Sequence, residues 1–187
     1  LNMLNVKYIV QQDEDGNSFP AVNDDANGNA WFIKEIIPVK SANEEIQSLK
    51  EFDSKSEAVV NTQVYPTVTK LSYEVDSLAS INLVDYRPNY LKYQSNNSNV
   101  GFVVFSEMHY PFDWQAYIDG KPTPNFKVNY ALRGMKVPAG NHEIEFKFEP
   151  EVVKTGSQIA LGSCILLALI ILGGMGYSFR PKKSKKE

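Results

Sequence analysis

Cysteine is almost missing from these 187 residues. The single Cys164 lies inside an uncharged apolar run, so no disulfide can staple the residues before it and they must stand on packing alone. Histidine is nearly as scarce, with only His109 and His142. Glu107, His109 and Asp113 are the nearest approach to a metal cluster, but nothing has the ligand spacing of a zinc site, and neither metal nor cofactor is expected. A G-x-S-x-G nucleophile elbow and a Gly-rich phosphate loop are absent too, and Ser106 has His109 beside it only in sequence, so nucleophilic catalysis has no support. The opening LNMLNVKYIV lacks a basic n-region, an apolar h-region and an initiator Met, so it is no export signal.

What is present begins with the 21 residues from Ile159 to Phe179, which carry no charge. At 1.5 Å per residue they reach across a hydrocarbon core of about 30 Å as one helix. Behind them, Arg180, Lys182, Lys183, Lys185 and Lys186 against Glu187 make a tail of +4, leaving −7 for everything before it in a chain of net charge −3. An acidic domain is a poor nucleic-acid binder. The upstream flank offers Glu149 and Glu151 with only Lys154, and the Lys/Arg asymmetry puts the tail in the cytoplasm and the preceding domain outside. A domain exported without a signal sequence requires one, or membrane spans, upstream, and the chain reads as the C-terminal piece of something longer.

The residues before the run read as β structure. Val6 to Val10 and Ala30 to Val39 form apolar strand patterns separated by a Gly, Asn and Asp rich loop, and SANEEIQSL predicts one short helix with Ser41 as cap, Glu44 closing a capping box, and Ile46 and Leu49 on one face. Period-two segments follow near Val68 to Val75, Ser80 to Tyr86, Tyr90 to Gln94, Val100 to Phe105 and Trp114 to Ile118. HEIEFKF is the clearest of all, with Ile144, Phe146 and Phe148 facing one way, and Asp119-Gly120 is a hairpin signal. The spacing predicts a mainly β fold: an antiparallel β-sandwich, jelly-roll or carbohydrate-binding-module-like, with one short helix and a single transmembrane α-helix after it. Four parts are expected: a strand, loop and helix segment over residues 1–60 packing on the sandwich, the sandwich core over 61–152, the transmembrane helix over 156–179 and the basic tail over 180–187.

Particular words carry a resemblance. PNYLKYQ at Pro88 to Gln94, VVFSEMHYPFDWQAYIDGK at Val103 to Lys121, YALRGMKVPAGNHEIEF at Tyr130 to Phe146 and FEP at Phe148 to Pro150 resemble, in that order, the C-terminal region of YfhO-like bacterial membrane proteins. LNMLNVKYIV and GNAWFI at Gly28 to Ile33 look like that family's approach to the same domain. The resemblance implies a large polytopic protein of the cytoplasmic membrane, related to C-type glycosyltransferases that use lipid-phosphate-linked sugars outside the membrane. Its presumed catalytic acid belongs to an early exterior loop with no counterpart here, so no residue of this chain is expected to be catalytic. Implied partners are the lipid bilayer, the remaining transmembrane helices of the parent and a glycan or lipid-linked sugar.

Two constellations are candidate sites. Tyr110, Phe112, Trp114 and Tyr117 interleave with Glu107, His109 and Asp113. Flat rings beside carboxylates suit a sugar, whose C–H faces stack while its hydroxyls bond to acids. Period two puts Phe112 and Trp114 on the core side with Val103 and Phe105, where large aromatics are ordinary packing, and that is the stronger expectation. Pro111 turns SEMHYPFDW into a loop, which places Glu107, His109, Tyr110, Asp113 and Trp114 as a contact surface for glycan or partner. Arg133 could pair with a phosphate or with an acid such as Asp119, and an ion pair at a strand end is the expected case. The second constellation is a stripe of small residues at i+4 spacing, Gly156, Ala160, Cys164 and Ala168, which could let another helix approach closely, or could be ordinary small-residue content in a lipid-facing anchor. Function divides accordingly between an accessory glycan-contacting domain and a structural or partner-binding β module with no glycan recognition.

Overall fold

A computed structural model describes residues 1–178. It divides into two units, residues 1–148 and a segment that begins at Glu149, each described by itself. The basic tail expected over 180–187 lies outside the described residues.

The first unit is mainly β. Two antiparallel sheets dominate. One has five strands in the order β10 (Lys121–Pro122), β9 (Trp114–Ile118), β13 (Gly140–Phe148), β7 (Tyr90–Asn97) and β6 (Ser80–Arg87). The other has four, in the order β11 (Phe126–Val128), β12 (Leu132–Val137), β8 (Gly101–Met108) and β3 (Ala30–Ile33). Their facing side chains form one core: Leu91, Tyr93, Ile144 and Phe146 from the first sheet meet Phe32, Val103, Phe105 and Met135 from the second. Tyr93, Phe105 and Phe146 pack edge to face, with ring centroids 4.9 to 6.2 Å apart. Each fully buried ring of this kind contributes roughly 2–3 kcal/mol through area removed from water.

The four-stranded sheet is buried on both faces. Its other side, carrying Trp31, Ile33, Phe102, Val104 and Leu132, packs on a third layer that supplies Ile36, Ala58, Val60, Val68 and Tyr73. This explains the unbroken burial of Gly101 to Phe105, where period two alone anticipates one wet face. The third layer is built from β4 (Glu35–Val39) and β5 (Glu57–Asn61), which pair in parallel, joined through α1 (Ala42–Ser48). A parallel pair was not anticipated in an antiparallel sandwich. It follows from the crossover that a helix between two strands permits.

Ser41 caps α1 by accepting the Glu44 N–H at 3.2 Å, and Glu44 reaches back past Ser41 to the amide of Lys40 at 2.8 Å. Of the expected pair on one face, Ile46 is exposed and Leu49 half-buried, and the residue the helix buries is Glu45, which accepts the Tyr130 N–H at 2.8 Å and lies 3.4 Å from Lys127. The expected strand over Val68 to Val75 is also absent: Val68 and Tyr73 are buried, but the main chain makes only one bridge, Glu35 to Ser72, on the edge of β4. The Ile36 N–H donates to Leu71 O and the Tyr73 N–H to Lys34 O, each at 2.7 Å, on either side of that bridge.

β1 (Tyr8–Gln12) and β2 (Ser18–Val22) form a separate two-stranded hairpin. The second unit holds α2 (Glu151–Ser178), of which Glu151–Met175 is long and apolar enough to cross a membrane. No membrane is needed to see why it is not a core helix: every side chain described along it is exposed.

Candidate functional site

The site is set by an irregularity in β8. Leu132 pairs with Met108 and Arg133 with Phe105, so a single step along β12 spans three along β8. Ser106 and Glu107 are the extra residues, and a bulge of this kind re-aims the side chains it carries. Ser106 Oγ turns to Met3 O at 2.9 Å and Gly28 O at 2.7 Å, tying down the N-terminal segment. Glu107 is left half-buried near Arg133, and that partial burial raises its carboxyl above the ordinary range, with Arg133 pulling the other way.

Arg133 does not form the expected ion pair with Asp119. It is buried among aromatic rings, its Nε donating to Met108 O at 2.9 Å and its guanidinium lying 4.5 Å from the Trp114 ring centre and 5.0 Å from that of Phe146. Burial lowers its affinity for a proton, and Glu107 opposes that. Asp119 is taken instead by His142: Oδ2 lies 2.6 Å from Nδ1, while Oδ1 accepts the Glu143 N–H at 3.0 Å. The carboxylate raises the His142 pKa, and the imidazole lowers that of Asp119. Asp119-Gly120 turns the chain between β9 and β10 with φ of 50° and 74°, the positive values a primed hairpin turn requires.

With one face of Trp114 against Arg133 and its edge tilted on Phe148 at 5.6 Å, the indole forms part of the wall of a groove of about 320 Å³. Tyr65, His109, Tyr110, Gln115, Thr123 and Asn125 complete the lining that matters chemically. His109 packs edge to face on Tyr65 at 6.5 Å, and its pKa is lowered first by burial and then by Arg133 and Lys127, which favours the neutral ring. The groove therefore combines indole, phenol and neutral imidazole faces with amide and hydroxyl groups. That set can stack on apolar C–H faces and exchange hydrogen bonds with hydroxyls, and it offers no strong base or nucleophile.

Three of the five residues singled out in the sequence, His109, Tyr110 and Trp114, meet on this groove. Glu107 turns toward Arg133, and Asp113 sits off the lining with a φ of 66°. Phe112, allowed for as core, is exposed and leans on Tyr110 at 5.4 Å. Sequence reasoning missed Tyr65 and the Thr123 to Asn125 connection, which topology brings in from 40 or so residues away on one side and the next hairpin on the other. Among the described residues no three His, Cys, Asp or Glu side chains gather to hold a metal ion.

No curated protein and no solved structure matches the chain. A family model does, that of the bacterial membrane protein YfhO, over residues 2–160. That match covers both the β unit and the start of α2. The chain thus belongs to the YfhO family of bacterial membrane proteins.

Proposed function

We propose that the chain is an accessory, extracytoplasmic β domain anchored in the cytoplasmic membrane, and that its aromatic groove contacts the glycan part of a cell-envelope or lipid-linked sugar while bond-making occurs elsewhere in the protein. The observation that carries this reading is Trp114 held flat by Arg133 beside Tyr65, Tyr110 and neutral His109. Pre-orientation matters because a ring fixed before binding loses little entropy on stacking. The membrane assignment rests on family membership and on the apolar span of α2. The outward orientation rests on the basic tail.

Orientation and groove are tested separately. In a Cys164→Ser background, Leu78→Cys at a site 81% exposed should react with a membrane-impermeant maleimide on intact cells. Labelling only after lysis would reverse the orientation. The groove is tested by glycan binding to the full chain in lipid nanodiscs, with Trp114→Ala and Tyr110→Ala expected to abolish it while the circular dichroism of the β unit is kept.

A partner-binding module with no glycan recognition is the second reading, and one observation favours it. The β1–β2 hairpin exposes Tyr8, Val10 and Val22, which share a face by register, and an isolated two-stranded hairpin is marginal in water. Retained assembly with lost glycan binding would favour the first reading, and lost assembly on Tyr8→Ser with Val10→Ser the second.

A further inference from the structure

The hairpin of β11 and β12 closes through Asn129, Tyr130 and Ala131, since Val128 pairs with Leu132. Asn129 and Tyr130 both have positive φ, 49° and 69°, and the Ala131 N–H turns back to Asn129 O at 2.8 Å. A positive φ at the middle residue of such an i to i+2 hydrogen bond marks the strained form of the γ-turn, which is rare. Asparagine tolerates the left-handed region and glycine takes it freely, whereas the Cβ of Tyr130 opposes it. The turn therefore depends on contacts from elsewhere in the fold.

Those contacts come from the third layer. Asn129 exchanges two bonds with Val59 of β5, its N–H donating to Val59 O at 2.9 Å and its Oδ1 accepting the Val59 N–H at 2.7 Å. Tyr130 is held by Glu45 of α1, which accepts its N–H at 2.8 Å. Glu45 is 0% exposed, and no other acidic side chain among the described residues is fully buried. Its second oxygen lies 3.4 Å from Lys127 Nζ, which in turn sits 5.0 Å from the centre of the Tyr130 ring. A carboxylate is costly to bury unless bonds replace its water. Here both of its oxygens are spent on one turn, directly on the main chain of Tyr130 and through Lys127 on its ring.

The same turn carries a wall of the aromatic groove. Ala131 O accepts the His109 N–H at 2.7 Å, and the His109 ring stands edge to face on Tyr65. Tyr65 in turn donates its N–H to Asn61 O, at the end of β5, and packs edge to face on Phe126 of β11 at 5.5 Å. We propose that Glu45 is a latch on this groove: by holding Tyr130 in its strained turn it positions Ala131, and through it His109 against Tyr65, and its release relaxes the turn and withdraws the imidazole wall. Glu45 is a positioning residue, since it lies off the groove lining and acts through the turn. The inference rests on the aromatic groove being the functional site, and not on which ligand the groove takes.

His109 is the readout, because His142 is the only other histidine and one His142→Gln spectrum assigns the two signals. The full chain in nanodiscs, isotope-labelled in its histidines, is titrated by NMR. In the natural chain His109 titrates below 6.5, since burial, then Arg133 and Lys127, disfavour the imidazolium. Glu45→Leu is expected to move that midpoint up toward 6.5 as the released ring meets water. Loss of the carboxylate charge without release would move it down, because Lys127 would be left uncompensated. Adding Tyr130→Gly to Glu45→Leu should return the midpoint to its natural value, as glycine holds the turn with no latch. Should Glu45→Leu alone fail to fold, the same rescue is expected to restore the circular dichroism as well as the midpoint. An unchanged or lowered midpoint in folded Glu45→Leu, a raised one that persists with Tyr130→Gly, or a doubly substituted chain that does not fold would each overturn the proposal. Sugar plays no part in this readout, so a groove that binds none would leave the latch standing.

Discussion

Arg133→Met isolates what the buried guanidinium contributes. The side chain is 4% exposed, donates one hydrogen bond to Met108 O and leaves Nη1 without a partner, so it loses hydration that the protein only partly replaces. The effective desolvation penalty for such an ion is several kcal/mol. Against it stand one charge-assisted hydrogen bond of about 1.5–3 kcal/mol and two ring contacts of roughly 0.5–2 kcal/mol each. The terms nearly cancel. Methionine keeps the length and the packing on Phe146, so the expected stability change is within about 1 kcal/mol, or about 2–4 °C in Tm. Truncation to alanine opens a cavity and should cost about 3 kcal/mol or more. Denaturant unfolding of the full chain in mild detergent, followed by tryptophan emission, measures both. Trp114 should become more mobile in Arg133→Met, seen as lower emission anisotropy in a Trp31→Phe background, and glycan binding should fall. A loss above about 3 kcal/mol in Arg133→Met would refute the reasoning, because it would mean the charge is net stabilising through Glu107.

Three further outcomes follow from the geometry. A Cβ on Gly134 would lie 2.7 Å from Phe102 Cε1 and Val128 Cγ1, both in a buried core, so Gly134→Ala should cost about 1–3 kcal/mol in the same unfolding assay, and no loss would mean that this layer repacks freely. The His142–Asp119 pair predicts a pH window. The raised His142 pKa gives stability that is full below 6.5 and lost as pH rises through the folded value, and the lowered Asp119 pKa gives stability that is full above 3.8 and lost as pH falls through its folded value. The stability difference between the natural chain and Asp119→Asn should therefore plateau between those pH values, at no more than about 1 kcal/mol since the pair is partly exposed; a difference that grows from pH 7 to 9 would contradict it. In α2, Gly156, Ala160, Cys164 and Ala168 drift by about 40° per step of four, a stripe suited to a helix that crosses at an angle. Ala160→Ile with Ala168→Ile should weaken helix association in a membrane reporter assay, and unchanged association would assign the stripe to lipid.

Alternation was legible where one face is wet. β13 buries Ile144 and Phe146, and β9 spans the residues the pattern gives it, with its turn at Asp119-Gly120. It failed where both faces are covered: GFVVF in β8 reads as half-exposed until a third layer is known, and EIIPV and EAVVN give no sign that they pair in parallel. TVTKLSYEV shows the converse: Val68 and Tyr73 are both buried although alternation would put them on opposite faces, and no ladder forms. The aromatic cluster around Tyr110 and Trp114 could be found in sequence because its residues lie close together in the chain, whereas Tyr65, which joins them on the groove, does not. Arg133 could not be placed, because its surroundings depend on a two-residue bulge and on rings from two other strands.

The central claim is that the groove of Tyr65, His109, Tyr110 and Trp114 contacts sugar. Saturation-transfer NMR on the full chain in nanodiscs, with neutral oligosaccharides of bacterial envelope composition, tests it most directly. The account predicts transfer to ring C–H protons of at least one sugar, removed by Trp114→Ala and reduced by Arg133→Met. Transfer that survives Trp114→Ala, or none to any sugar from a folded chain, would contradict it.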